Sequence, residues 1–270
     1  MKMQFRGISM LLGIVLVLGS SLNVLANHSW NGYHWARTAN PFTLKLGDNV
    51  TSVWDPILAT TSSDWTQSTV LNTTIVAGTT TARRCKAPSG RVEVCNSTYG
   101  NNGWLGIAGI TVSGSHITSG YVKLNDTYFN TSTYNSTAWR NLVSCQEVGH
   151  TFGLDHQDEN FNNANLNTCM DYTNSPGSNQ HPNSHDYQQL VDIYSHLDST
   201  TTVGALIPSA DNFIMNAAFN DGDDQDDWGT LVRRTADGRE ILYVRDLGNG
   251  VKRFTFVFPV PGGPQDRHEF

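Results

Sequence analysis

The chain has 270 residues, with 17 Lys and Arg against 24 Asp and Glu, a formal charge of −7. An acidic chain poor in lysine lacks the basic patches that nucleic acid requires, and it has no polybasic stretch suited to anionic lipid. Its length allows one good-sized domain plus an appendage.

Lys2 and Arg6 precede an apolar run from Ile8 to Leu18, and Val24-Leu25-Ala26 fits a small-x-small cleavage pattern. This combination predicts a secretory signal peptide over 1–26. The run is shorter than the ~20 residues that span a bilayer, and no later segment is apolar enough to do so. Residues 27–49 are polar and aromatic without a clear period. Trp54, Ile57, Leu58 and Trp65 share a helical face, and Val70–Val76 is a β-branched run expected as a strand. The segment from Cys85 to Cys95, with Pro88-Ser89-Gly90 inside it, reads as a stapled loop. Trp104–Val112 and Ile117–Leu124 read as strands joined by Ser113-Gly114-Ser115. Ala138, Leu142, Val143, Cys145, Gly149 and Phe152 predict a helix stopping at Gly153, and Tyr187, Leu190, Val191, Tyr194 and Leu197 predict another over 184–197.

Composition changes after Ser199. Residues 201–228, with the acidic run Asp221–Asp227, read as a linker; a calcium loop is the alternative, but the carboxylate spacing fits none. Thr230–Arg234, Glu240–Arg245 and Val251–Phe258, separated by glycine turns, predict a β-meander over 229–270. Three strands are marginal alone, so the meander is expected to pack on a main domain over 27–200. The four cysteines allow three pairings, of which the sequence-local Cys85–Cys95 and Cys145–Cys169 are expected in an exported chain. Sequons such as Asn72-Thr73-Thr74 carry glycans only in a host that glycosylates.

The informative stretch is Cys145-Gln146-Glu147-Val148-Gly149-His150-Thr151-Phe152-Gly153-Leu154-Asp155-His156. On a helix, 146 and 150 lie one turn apart on one face, with Glu147 beside them. Gly153 allows a sharp turn that brings His156 back towards the same point. Two imidazoles and a third donor suit zinc with a position left for water, and Glu147 is placed as a proton acceptor.

This stretch resembles the metzincin zinc-protease signature H-E-x-x-H-x-x-G-x-x-H, with Glu147, His150, Gly153 and His156 matching and Gln146 where the first histidine stands. Cys169-Met170-Asp171-Tyr172 resembles the Met-turn of that family, in which a methionine lies beneath the metal. The resemblance covers roughly residues 53–199. It implies an α+β metzincin-like domain with a twisted mixed sheet, a zinc helix and a C-terminal helix, and a secreted endopeptidase acting on protein or peptide substrates. Zinc would be held by Gln146, His150 and His156, Glu147 would be the general base, and Tyr172 would touch the metal or the reacting carbonyl. An edge strand, Ile117–Leu124, would pair with extended substrate.

Three readings of Gln146 stand side by side. Its amide oxygen ligates zinc; or His150 and His156 share the metal with Tyr172, His116, His181 or His185; or zinc is lost and the chain is a silent binding protein on a protease scaffold. A secreted adhesive module with the meander as its working part is a further alternative. His28, His34, His196 and His268 read as surface residues. Arg84-Cys85-Lys86-Ala87-Pro88 faintly resembles a matrixin latency peptide, but Cys85 has a near disulfide partner in Cys95.

Overall fold

The computed structural model describes residues 27–204 and 227–262. The expected signal peptide, most of the acidic run Asp221–Asp227, and His268 lie outside the described residues. Chain order is β1 (His34–Trp35), β2 (Phe42–Asn49), α1 (Asp55–Trp65), β3 (Leu71–Ala77), β4 (Val92–Ser97), β5 (Trp104–Ser113), β6 (His116–Asn125), α2 (Asp126–Phe129), α3 (Thr137–His150), α4 (Ser184–Ile193), β7 (Thr230–Arg234), β8 (Glu240–Gly248) and β9 (Val251–Pro259). The class is α+β.

One mixed nine-stranded sheet runs β3-β2-β4-β6-β5-β9-β8-β7, with β1 pairing β6 off this path. Neighbours from β3 through β6 are parallel, and β5, β9, β8 and β7 pair antiparallel. The C-terminal strands therefore join the main sheet by strand pairing, from Trp104 opposite Pro259 to Ser113 opposite Val251, rather than packing on it as a separate layer.

Local chemistry explains the elements. Pro56 opens α1, where a missing N–H costs nothing, and Ile57, Leu58 and Trp65 turn its apolar face inward. The Ser136 hydroxyl caps α3 by accepting from Trp139 N at 3.3 Å. Asn183 and Asp186 form a reciprocal capping box on α4. The second helix stops at Ile193, short of the expected Leu197. The Tyr194 hydroxyl instead donates to Phe152 O at 2.9 Å, and Leu197 is 57% exposed.

Residues 27–49, read from sequence as lacking a period, contain β1 and β2; Phe42, Leu44 and Leu46 alternate inward on β2. The expected Cys85–Cys95 loop ends inside a strand. Cys95 lies on β4, buried on both faces, so its neighbours show no alternation to read. Ile117–Leu124 is not an edge strand. β6 is paired by β4 and β1 on one side and by β5 on the other, which leaves no free edge for a substrate.

Apolar side chains cover both faces of the sheet. The larger cluster gathers Leu105, Ala108, Ile110, Val143, Val148, Met170, Phe254, Phe256 and Phe258 around α3. A smaller cluster of Cys85, Cys95, Tyr99, Trp104, Ile107, Tyr121, Trp228, Tyr243 and Val257 covers the reverse face. Cys85 is bonded to Cys95 and Cys145 to Cys169. Two disulfides suit an oxidising compartment. Among the described residues, no helix is long and apolar enough to cross a membrane.

Candidate metal centre

Helix α3 lies across β5 at a glycine. A Cβ on Gly106 would meet Val143 Cγ1 at 2.5 Å and Glu147 Cγ at 2.9 Å, so only glycine lets the helix approach this closely. On the opposite side of the helix a Cβ on Gly149 would meet Met170 Sδ and Trp65 Cζ2, both at 2.7 Å. The methionine thus sits against the helix next to His150. The Cys145–Cys169 disulfide ties the same two segments together.

After His150 the chain reverses at Gly153, which has a φ of +94°. Its Cα faces the Tyr33 carbonyl, and a Cβ there would lie 2.1 Å from that oxygen. The reversal carries His156 back onto His150. Their Nε2 atoms are 3.0 Å apart and their rings nearly perpendicular. His150 Nδ1 donates to Leu154 O at 2.9 Å, which leaves its Nε2 as the bare nitrogen in the neutral ring. Burial and the neighbouring His156 push the His150 imidazole well below its usual pKa, so it stays neutral and keeps that lone pair.

Gln146 and Glu147 are wholly buried. Among the described residues, neither the Gln146 amide nor the Glu147 carboxylate has a hydrogen-bond partner. Burial pushes the Glu147 carboxyl well above its usual value. Buried polar groups without partners are costly and uncommon, and here four such atoms belong to the two residues that precede His150 by one turn or less on α3. Imidazole nitrogens and an amide oxygen are donor types that zinc accepts. Tetrahedral bonds of 2.0–2.1 Å separate ligand atoms by about 3.3 Å, close to the spacing of the two imidazole nitrogens. In such an arrangement His150 and His156 would be ligands, and the Gln146 amide oxygen, one helical turn before His150, would be the candidate third donor.

Tyr172 packs against His156 with ring centroids 4.3 Å apart and planes tilted by 35°, while its hydroxyl donates to Val257 O of β9 at 2.6 Å. Burial and the Glu147 charge raise its pKa well above the ordinary value, so it remains a donor. The other donors considered from sequence have partners elsewhere. His116 approaches Asp198 at 3.2 Å, His181 approaches Asp64 at 2.7 Å, and His185 lies against His28. His28 and His34 are buried rather than on the surface.

A feature that sequence reasoning missed is the cover over these residues. Phe256 of β9 lies flat on His150, with centroids 4.3 Å apart and planes within 9°. Phe258 meets Tyr172 edge-on. From β7, Arg233 grips Asp155 with two nitrogens at 2.7 and 2.5 Å and reaches Glu159 at 3.0 Å. Burial alone would raise the Asp155 carboxyl, but the Arg233 fork and His156 outweigh it and hold it below its usual value. Asp155, His156 and Glu159 also bring ligand atoms together, but the guanidinium already serves those carboxylates. Strand alternation in Phe254, Phe256 and Phe258 was the available signal that one face of β9 seeks an apolar partner; nothing in it named α3.

No protein-family model matches the chain, and no curated protein matches it.

Proposed function

We propose that this chain is an exported zinc endopeptidase of the metzincin type, closed in this conformation by its own C-terminal strands. One observation carries the reading. Two imidazole Nε2 atoms converge to 3.0 Å, and the helix that carries His150 also carries a buried amide and carboxylate, Gln146 and Glu147, that have no hydrogen-bond partner among the described residues. The glycine turn at Gly153 and the contact of Met170 beneath the helix agree with it.

Zinc, when bound, supplies a Lewis acid that polarises the scissile carbonyl and lowers the pKa of water. The residues of the chain do the rest. His150 and His156 offer Nε2, with His150 held in register by its bond to Leu154 O. Gln146 adds a neutral oxygen donor. Glu147, as its carboxylate, would accept a proton from the attacking water and pass it to the leaving amine, its burial making the carboxylate a stronger base. Tyr172 would hold the His156 ring by packing against it. An extended substrate would pair with β5, the strand against which Glu147 packs. Because β9 already pairs with that edge, peptide and β9 compete for it.

The burial of His150 beneath Phe256 also favours a second reading, a silent scaffold that never opens. Zinc content and cleavage of an unfolded protein substrate separate the two. Stoichiometric zinc together with cleavage abolished in Glu147→Gln supports the protease. A chain that carries no zinc at this helix and cleaves nothing is the silent scaffold.

A further inference from the structure

Outside this site, four side chains from distant parts of the chain converge at the open end of β1. His34 lies on β1, His116 begins β6, and His196 and Asp198 follow α4. His34 Nε2 is 3.1 Å from His196 Nε2 and 3.5 Å from Asp198 Oδ1. His116 Nε2 is 3.2 Å and His196 Nε2 3.7 Å from the same carboxylate oxygen. The His34 ring stands nearly perpendicular to both His116 and His196. These four spacings bracket the ligand-to-ligand edge of about 3.3 Å in tetrahedral zinc.

The surrounding contacts orient the donors. His34 Nδ1 lies 2.7 Å from Gly32 O, which can only accept, so Nδ1 carries the proton and Nε2 is bare in the neutral ring. Arg37 takes the other carboxylate oxygen of Asp198 through its backbone N–H at 3.1 Å and Nη1 at 2.9 Å, which keeps the carboxylate ionised and turns Oδ1 to the histidines. Such outer partners are how proteins orient metal ligands. Hydrogen bonding alone can satisfy two contacts, His196 to His34 and His116 to Asp198. With His34 neutral it leaves His34 Nε2 facing Asp198 Oδ1 as acceptor to acceptor, whereas a divalent cation would serve His34, His116 and Asp198 together, with His196 Nε2, 3.1 Å from His34 Nε2, as a fourth donor.

We propose that His34, His116, His196 and Asp198 form a second zinc site, closed by four protein ligands and structural rather than catalytic. Three imidazoles and one carboxylate suit zinc better than calcium or magnesium, which take oxygen. The site fastens the loop after α4 to β1, which pairs with β6 through only two residues. It does not depend on the chemistry at α3.

The test uses the full chain, equilibrated with zinc, desalted and analysed for metal by mass spectrometry. His116→Asn with His196→Asn removes two ligands that are 34% and 52% exposed, so the fold survives their loss. The variant should hold one zinc fewer per chain, and its zinc-dependent rise in Tm should shrink. Repeating the pair in a His150→Asn, His156→Asn background removes the other site from the count and should give one zinc against none. Cobalt substituted in that background should show the visible bands of a tetrahedral nitrogen-rich site. If the double variant fails to fold, His196→Asn alone is used, with a zinc affinity at least tenfold weaker expected. Equal zinc content and an equal Tm response in parent and variant would overturn the proposal, as would absence of zinc from the His150→Asn, His156→Asn chain.

Discussion

At the scale of single residues, Gln146 and Glu147 carry the proposed chemistry. Glu147 is a buried carboxyl without a hydrogen-bond partner among the described residues and with its pKa pushed up by burial. Glu147→Gln keeps the shape and removes the base, so peptide turnover should fall by ~10²-fold or more, while zinc content and the melting transition are retained. Undiminished turnover in a carefully purified variant takes Glu147 out of the mechanism. Gln146 lies one helical turn before His150 and has both amide atoms unpartnered. A neutral amide oxygen transfers less charge to zinc than an imidazole does. Gln146→His should therefore bind zinc more tightly, with no backbone change and with activity equal to or above that of the parent. Competition with a coloured chelator measures this, and an unchanged affinity would mean that residue 146 does not face the metal.

At the scale of elements, close approaches hold the site together. Gly106→Ala would drive a methyl group into Val143 and Glu147, moving α3 away from β5. A loss of about 1–3 kcal/mol in urea unfolding is expected; full stability would mean that the helix has room to spare. The Cys145–Cys169 bridge spans a separation of 24 residues, which in the chain-entropy model is worth about 3–4 kcal/mol. Cys145→Ser with Cys169→Ser should lower the unfolding midpoint and weaken zinc binding together, because one end lies on α3 and the other beside Met170. A drop in stability with unchanged zinc affinity would uncouple the bridge from the site. On the other side, Arg233 anchors the C-terminal strands to Asp155 and Glu159 and lies 5.2 Å from the Trp30 ring. Arg233→Ala removes charge-assisted bonds worth about 1.5 kcal/mol at a partly exposed position. Amide exchange across 254–258 should accelerate by roughly tenfold, and peptide cleavage should rise with it. Faster exchange without more cleavage would separate the cover from control of the site.

At the scale of the whole molecule, one sheet does two jobs. Its first part supports α3 and the histidine turn, and its last three strands extend the same hydrogen-bonded surface over them. The sequence by itself determined the local features. The apolar period of α3, the glycine reversal at 153, the sequence-local cysteine pairs and the three C-terminal strands all follow from spacing, φ freedom and turn chemistry within short windows. So does the meeting of His150 and His156, because a helix end and one tight turn determine their relation. Pairing partners were not legible. The edge of β5 goes to β9, about 150 residues later, and backbone hydrogen bonds carry no residue code that would say so. β6 reads like any alternating strand, yet β4 and β1 deny it a free edge. His34, His116, His196 and Asp198 look like isolated polar residues because they come together only when β1, β6 and the loop after α4 dock. Local sequence decides which side chains share a helix face or a turn; only the closing of long loops, driven by burial of both faces of the sheet, decides which distant groups meet.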